Sequence, residues 1–277
     1  MDNVKDLLHE HSFKKSLGQN FITDKNLLEA IVLDAQISLN DCVLEIGAGA
    51  GTLTEVLCKS AKKVVTYEID RTLESTLNKK LKAYNNLEII YADALKESNE
   101  DIYKKFNEPY KIVANLPYYI TTPLIFKFLE DISNIKSIVA MVQKEVAERI
   151  VAAPDTKEYG ILSAMVQFYA TAQINRIVKK DMFYPVPEVD SAVVTLTKNL
   201  KYTESVNKKI YGQCVRAAFS MRRKTLLNNL SMGFKISKML ATEIITECEL
   251  PINIRGEALS IPQFIKLANV VIQKKII

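Results

Sequence analysis

The chain has 277 residues, of which 48% are hydrophobic and 25% are charged, a composition typical of a folded protein with one large and one smaller domain. No apolar run reaches the roughly 18 to 20 residues that cross a bilayer, and the first residues lack a signal-peptide core, so we expect a cytoplasmic protein without membrane contact. Histidines occur only at positions 9 and 11 and the cysteines are scattered, which argues against a metal site and against a histidine-based catalytic triad.

The net charge of +5 is unevenly distributed. Residues 198–277 carry 14 Lys and Arg against 5 Asp and Glu, whereas the preceding residues carry a small excess of acids. A basic C-terminal segment suits a polyanion such as nucleic acid. A solvated lysine-rich surface is the alternative that charge alone leaves open.

Short strand-like runs alternate with helix-like stretches along most of the chain. In order, the pattern predicts strands at 42–46, 63–67, 87–91, 111–114, 137–142, 176–178 and 189–196, with helices at 71–83 and 122–131. Such alternation indicates a doubly wound α/β sheet covered on both faces. Later segments are helical, at 206–230, 235–247 and 261–272. We therefore predict a catalytic domain over 1–197, including an N-terminal arm at 1–25, and a small all-helical domain over 198–277.

A glycine run, Gly47-Ala-Gly49-Ala-Gly51, follows the first predicted strand and precedes a helix-like stretch. Glycines at this position let the backbone approach a ligand at a helix N-terminus. The nicotinamide-dinucleotide fingerprint would need its third glycine at residue 52, where the chain has Thr52. The spacing favours the methyltransferase variant of this sheet, with Gly47 and Gly49 beside the cofactor. A tight turn without a ligand is the alternative.

Two acids end the next two predicted strands. Glu68 is placed where a carboxylate accepts hydrogen bonds from both ribose hydroxyls, and Asp93 where it accepts one from an adenine amine. Each alone could be a surface acid. Ligand-type groups at three successive strand ends point together to an adenosine-containing cofactor, because open α/β sheets bind ligands at those carboxyl edges.

The most specific motif is Asn115-Leu116-Pro117-Tyr118, which ends the fourth predicted strand. An adenine amine is a poor nucleophile, and a site that accepts hydrogen bonds from both of its hydrogens favours transfer of a methyl group to its nitrogen. Asn115 Oδ1 and the Leu116 carbonyl are candidate acceptors, and Pro117 restricts the backbone that carries that carbonyl. Tyr118 offers a flat face for a base taken out of its stack.

These motifs resemble the ribosomal RNA adenine dimethyltransferase family, and within it the branch that modifies small-subunit (16S) ribosomal RNA. Further blocks are similar to that family across nearly the whole chain, at 15–21, 141–147, 159–160, 183–187, 189–191, 218–224 and 259–260. The resemblance implies a class I fold that uses S-adenosylmethionine and dimethylates the N6 amines of two adjacent adenosines in a hairpin loop near the 3' end of that RNA. It implies an immature 30S particle as partner. We also expect a monomer, and no metal, because a positively charged sulfonium is a strong methyl donor without one.

The resemblance also implies roles for residues that the motifs alone do not assign. Gln19, Asn20 and Ile22 would border the cofactor, and Asn115 would touch both cofactor and target. Phe183 would stack on the target base opposite Tyr118, although it could equally be a core aromatic. A basic cluster on a predicted helix would contact RNA phosphates, although a solvated basic turn is the alternative; it consists of Arg222, Arg223 and Lys224.

Three other functions remain open from the sequence. One is the related 23S ribosomal RNA dimethyltransferase of the macrolide-resistance type, whose acceptor motif is nearly the same. Another is a catalytically silent ribosome-assembly factor of the same fold. The third, a nicotinamide-dependent oxidoreductase, is disfavoured by the glycine spacing.

Overall fold

The computed structural model describes residues 19–118, 120–130 and 134–276. Its helices and strands divide between two compact units. The first unit contains the described residues up to Ala147 together with Gln173–Lys198, and the second contains Glu148–Ala172 and Asn199–Ile277. Each unit is described by itself below.

A seven-stranded sheet organises the first unit. Its strands are β2 (Cys42–Ile46), β3 (Lys63–Tyr67), β4 (Leu87–Ile90), β5 (Tyr110–Asn115), β6 (Ile135–Gln143), β7 (Ala170–Val178) and β9 (Ser191–Lys198). They lie in the order β4-β3-β2-β5-β6-β9-β7. The pairs from β4 through β6 are parallel, whereas β6 and β9 are antiparallel. A separate antiparallel ribbon joins β1 (Phe21–Ile22) to β8 (Phe183–Tyr184). The predicted doubly wound α/β class is confirmed, with an antiparallel pair in addition.

Helices cover this sheet between its strands. They are α1 (Lys25–Asp34), α2 (Thr52–Ser60), α3 (Glu74–Leu81), α4 (Asn99–Lys104) and α5 (Thr121–Glu130). All five side chains of β2 are buried, as expected for a central parallel strand covered on both faces. Polar side chains cap two of these helices: Asp24 caps α1 by accepting a hydrogen bond from the backbone N–H of Leu27 at 2.8 Å, and Ser98 caps α4 by accepting one from the N–H of Asp101 at 3.0 Å.

The second unit is helical. It contains α7 (Ile161–Tyr169), α8 (Lys208–Ala218), α9 (Leu226–Gly233), α10 (Lys238–Glu247) and α11 (Ile261–Gln273), while α6 (Lys144–Val151) begins in the first unit and ends in the second. The sequence placed 148–172 in the catalytic domain, but here this segment joins the helices. The reason is aromatic packing, because Phe168 of α7 stacks on Tyr211 of α8 with ring centroids 4.0 Å apart.

One predicted helix is in fact two. The pattern at 206–230 predicted a continuous helix, whereas the structure has α8 and α9 with a turn between them. The buried amide of Asn229 donates to the carbonyls of Ala218 at 2.7 Å and Met221 at 3.1 Å. The first bond satisfies the Ala218 carbonyl at the end of α8, and the second adds to the bond that the Met221 carbonyl accepts from the N–H of Lys224 at 3.0 Å, so both stabilise the turn. None of the helices in the described ranges is both long and apolar enough to span a membrane.

Candidate active site

A cavity of about 350 Å³ opens at the carboxyl ends of the parallel strands in the first unit. Its walls come from the segments that follow four successive strands, β2 through β5, and from the N-terminal residues Gln19, Asn20 and Phe21. Open α/β sheets bind ligands at this edge. The structure therefore brings together groups that are distant in the chain, at the place where the fold is expected to bind a ligand.

The glycine loop after β2 forms one wall. Gly47, Gly49 and Gly51 all have positive φ angles, of 83°, 56° and 69°. At Gly49 an added Cβ would lie 2.8 Å from the ring of Phe21, so neither the backbone conformation nor the space permits a side chain. The loop is thus packed against the N-terminal segment and presents backbone to the cavity.

The Glu68 carboxylate is held by two backbone N–H groups. Gly49 donates to one of its oxygens and Asp70 to the other, each at 2.8 Å. Burial raises the pKa of Glu68, and the two N–H donors act against that rise. Because each carboxylate oxygen accepts more than one hydrogen bond, both oxygens keep capacity for a ligand in the cavity.

Asp93 lies in the cavity wall after β4. Its Oδ1 accepts a hydrogen bond from the backbone N–H of Leu95 at 3.0 Å, which orients the carboxylate. Two apolar side chains, Ile69 and Leu95, lie in the same wall, beside Glu68 and Asp93 respectively. This part of the cavity combines carboxylate acceptors with apolar surface, which suits a nucleoside with its hydroxyls, amine and flat base.

The side chain of Asn115 has a defined orientation. Its Nδ2 donates to the backbone carbonyl of Asn20 at 3.0 Å, across 95 residues of sequence. Only the amide nitrogen can donate, so this bond identifies which end of the side chain is nitrogen. This contact leaves Oδ1 as the amide atom that can bind another partner. Asn115 also lines the cavity.

Leu116, Pro117 and Tyr118 continue the wall after Asn115. The N–H of Leu116 donates to the Met141 carbonyl at 3.2 Å, which ties the motif to β6. The Tyr118 hydroxyl lies 2.9 Å from the Ser191 hydroxyl at the start of β9. Burial raises the pKa of Tyr118 from its ordinary value of 10. All four residues of the predicted acceptor motif therefore line one cavity.

Comparison with known proteins agrees with this geometry. The sequence pattern of the ribosomal RNA adenine dimethylase family matches residues 10–272. The chain belongs to this family. Relatives include ribosomal RNA small subunit methyltransferase A of Bacillus cereus (strain B4264) and of Bacillus mycoides (strain KBAB4), each 44% identical over 99% of this chain and 97% of the relative.

Two solved structures of rRNA-modifying or dimethyladenosine-forming enzymes are also similar. A dimethyladenosine transferase from Plasmodium falciparum superposes with a TM-score of 0.79 at 30% identity, covering 92% of this chain and 98% of that protein. The 23S rRNA methyltransferase ErmE superposes with a TM-score of 0.69 at 25% identity, covering 91% and 100%. Both superpositions therefore include residues from each of the two units.

Two predicted site residues of this family member do not reach the cavity. Phe183 is 3% exposed and packs in the hydrophobic core with Ile22, its partner in the β1–β8 ribbon. Neither side chain lines the cavity; Phe21, which precedes Ile22, does. Alternation along a strand explains this, because neighbouring side chains point to opposite faces. Stacking by Phe183 stays a prediction that would require movement of its ring.

The basic cluster lies in the turn between α8 and α9, so its predicted helical setting is wrong. Arg222, Arg223 and Lys224 are all exposed. Arg222 donates to the Lys157 carbonyl at 2.9 Å and lies 3.7 Å from a Glu257 oxygen, so part of its hydrogen-bonding capacity is used within the second unit. Their contact with RNA stays a prediction.

Residues that line the cavity but were not identified from the sequence include Phe21, Ile69 and Leu95. Ser191, which contacts the hydroxyl of the cavity residue Tyr118, was not identified either. Ile69 and Leu95 could have been found, because each lies one or two residues after a predicted ligand-binding acid. Ser191 could not, since nothing in the sequence places it against Tyr118. In the described part of the chain, no cluster of His, Cys, Asp and Glu is arranged to hold a metal ion.

Proposed function

We propose that this family member transfers methyl groups from S-adenosylmethionine to the N6 amines of two adjacent adenosines in a hairpin loop near the 3' end of small-subunit (16S) ribosomal RNA. The orientation of Asn115 carries the proposal. With Nδ2 bound to the Asn20 carbonyl, Oδ1 is the atom available to accept a hydrogen bond from an amine, and an acceptor is what adenine-amine chemistry requires.

The cavity fits the cofactor. The glycine loop brings backbone to the ligand without side chains, Glu68 would hold the ribose hydroxyls, and Asp93 would hold the adenine amine. Gln19 and Asn20 lie at the cavity edge and would border the cofactor. When bound, S-adenosylmethionine supplies a methyl group activated by a positively charged sulfonium. The proposed chemistry needs no metal ion.

The chain's own residues would orient the target amine. Asn115 Oδ1 and the Leu116 carbonyl accept from its two hydrogens, which favours a tetrahedral nitrogen whose lone pair faces the methyl donor. Pro117 fixes the backbone between Leu116 and Tyr118, and the Tyr118 ring gives the extruded base a surface on which to stack. Phe183 is proposed as the opposing ring, after a rearrangement that exposes it.

Similarity to relatives supports the substrate. Proteins named ribosomal RNA small subunit methyltransferase A are 44% identical to this chain, compared with 25% for the 23S rRNA methyltransferase ErmE. We therefore favour small-subunit RNA as the substrate. In this proposal a monomeric enzyme acts in the cytoplasm on an immature 30S particle. The exposed Arg222, Arg223 and Lys224 would contact RNA phosphates, with residues 198–277 acting as an RNA-binding domain.

Single-turnover transfer of labelled methyl groups to immature small subunits tests the proposal. We expect Asn115→Ala to lose nearly all turnover while RNA affinity stays near normal, because most RNA contacts lie elsewhere. Asn86→Ala is a matched control: its amide also donates to a backbone carbonyl, that of Cys58 at 2.9 Å, but it lies outside the cavity. Normal transfer by Asn115→Ala would show that adenine-amine chemistry at this site is wrong.

Two further measurements separate the alternatives. Cells that lack the protein should lose dimethyladenosine from 16S RNA by mass spectrometry, whereas loss from 23S RNA would favour the macrolide-resistance activity. A purified wild-type protein that binds small subunits but transfers no methyl group would be a silent assembly factor.

A further inference from the structure

A buried serine from a distant strand holds the hydroxyl of Tyr118. We propose that Ser191 is a positioning residue for methyl transfer, which holds the Tyr118 ring in place so that the cavity has a preformed stacking surface for the target base. This inference rests on the proposed function, since it assigns the ring the task of receiving an adenine. It adds a residue that none of the predicted contacts with cofactor, base or RNA includes.

Ser191 is a rigid anchor. It is the first residue of β9, lies opposite Gln143 of β6 in the antiparallel ladder and is 0% exposed. The residue before it is also held, because the Asp190 carbonyl accepts from the N–H of Lys144 at 3.0 Å and the Asp190 carboxylate accepts from the N–H of Lys180 at 3.1 Å. The position of the Ser191 hydroxyl is therefore set by the sheet.

Tyr118 by contrast lies in a less regular segment. It is three residues beyond the end of β5, and its ring is half-buried in the cavity wall. A ring attached only at Cβ can rotate about two side-chain bonds. The 2.9 Å contact with Ser191 Oγ attaches the opposite end of the ring as well. The two attachments lie at opposite ends of the long axis of the ring, so together they fix where that axis lies in the cavity wall, and a stacking surface requires a ring in a fixed position.

The surroundings favour a persistent bond. Ser191 is shielded from water, so its hydroxyl has no solvent partner to replace Tyr118. Burial raises the pKa of Tyr118 above 10, so the phenol is neutral at physiological pH and can donate or accept. If one hydroxyl were removed, the other would lose its hydrogen-bond partner, and a buried polar group without a partner costs free energy.

The alternative is that the bond only stabilises the fold. The two roles differ in what they change: a structural bond affects unfolding, whereas a positioning bond affects base capture in the folded protein. We expect Ser191→Ala and Tyr118→Phe each to lower kcat/KM for methyl transfer about tenfold, as for one lost hydrogen bond. Binding of S-adenosylmethionine should not change, because Ser191 does not line the cavity.

A double-mutant cycle on the full-length protein tests the coupling. If the two hydroxyls act through each other, the double variant should be within about twofold of either single variant, whereas independent effects would multiply to about a hundredfold loss. Ser163→Ala is the matched control, because that serine is also 0% exposed and its hydroxyl donates to a backbone carbonyl, that of Arg149, outside the cavity. The control should leave the kinetics of the folded enzyme unchanged.

A fluorescent base separates ring positioning from chemistry. Small subunits reconstituted with 2-aminopurine at one target adenosine report stacking, and this base has no amine at the position that accepts the methyl group. We expect both single variants to reduce the change in fluorescence that accompanies base capture. If the wild type captured the base yet transferred no methyl group to adenosine, the proposed function would fail, whereas the positioning of the Tyr118 ring by Ser191 for base capture would still be supported.

Two results would overturn the inference: multiplicative losses in the cycle, or an unchanged rate and unchanged fluorescence in Ser191→Ala. If Ser191→Ala does not fold, Tyr118→Phe removes the same bond from the half-buried side. An unchanged rate and fluorescence for that variant would equally exclude positioning through the hydroxyls.

Discussion

Glu45 is a carboxyl group inside the core of the first unit, and its replacement by glutamine should stabilise the protein at neutral pH. Its side chain is 0% exposed in the middle of β2. Thr54 donates to Oε2 at 2.7 Å, but Oε1 has no hydrogen-bond partner among the described residues. Burial raises the pKa of Glu45 from 4.5 to about 7, and the Thr54 bond acts against that rise.

The direction in which stability changes with pH depends on whether the folded or the unfolded chain holds the proton more tightly. Below pH 4.5 the carboxyl is protonated in both folded and unfolded protein. Between pH 4.5 and about 7 the unfolded chain has lost the proton and the folded chain retains it, so stability falls as pH rises. At about 1.4 kcal/mol per pH unit, this interval corresponds to a loss of about 3 kcal/mol, which glutamine avoids because it does not ionise.

Urea unfolding of wild type and Glu45→Gln, from below pH 4.5 to above pH 7, measures this difference. The stability difference should rise through that interval and level off above it. Glu55→Gln is a control of opposite sign: although burial acts to raise it, the pKa of Glu55 is lowered by Lys59 and Lys80. Glu55 therefore stabilises the fold above its ordinary pKa, and its contribution is lost as pH falls. A pH-independent difference for Glu45→Gln would refute the reasoning.

Two more variants probe the binding surfaces. Glu68→Gln should weaken cofactor binding at least tenfold by calorimetry, because charge-assisted hydrogen bonds contribute about 1.5 to 3 kcal/mol each; unchanged affinity would contradict ribose binding. Arg223→Ala with Lys224→Ala should reduce the salt dependence of RNA affinity by about one to two counterions, measured as the slope of log affinity against log salt. The exposed pair Lys79 and Lys82 in the first unit is the control, and an equal effect there would indicate general charge only.

The parallel sheet could be predicted from sequence because its strands are short, largely apolar runs, and every residue of β2 is buried. The bounds of β2 and β3 were predicted to the residue. A short apolar run between turn residues is typical of a parallel strand that is covered on both faces. Residues 148–172 were placed in the catalytic domain, because the sequence does not show that the helices there pack with partners that follow much later in the chain, in the second unit. The sequence pattern predicts a helix or a strand, whereas tertiary packing determines which other elements it contacts.

The candidate site shows the same limit at the level of single side chains. Strand ends predicted that Gly47, Glu68, Asp93 and Asn115 would meet, and all four line the cavity. Phe183 could not be placed, because a two-residue strand has no pattern to show which of its faces is buried.

The chemistry of the acceptor motif depends on atoms that the motif does not contain. The segment from Gln19 to Phe21 contacts three parts of the site: Gln19 donates to the Asp70 carboxylate at 2.8 Å, the Asn20 carbonyl holds Asn115, and Phe21 packs on the glycine loop. Asp70 in turn donates its N–H to Glu68, so the cofactor wall and the acceptor wall are linked through one short segment. An asparagine amide without the Asn20 carbonyl could present either its nitrogen or its oxygen to an amine, and only the oxygen accepts. The N-terminal segment therefore supplies the contact that makes Asn115 an acceptor.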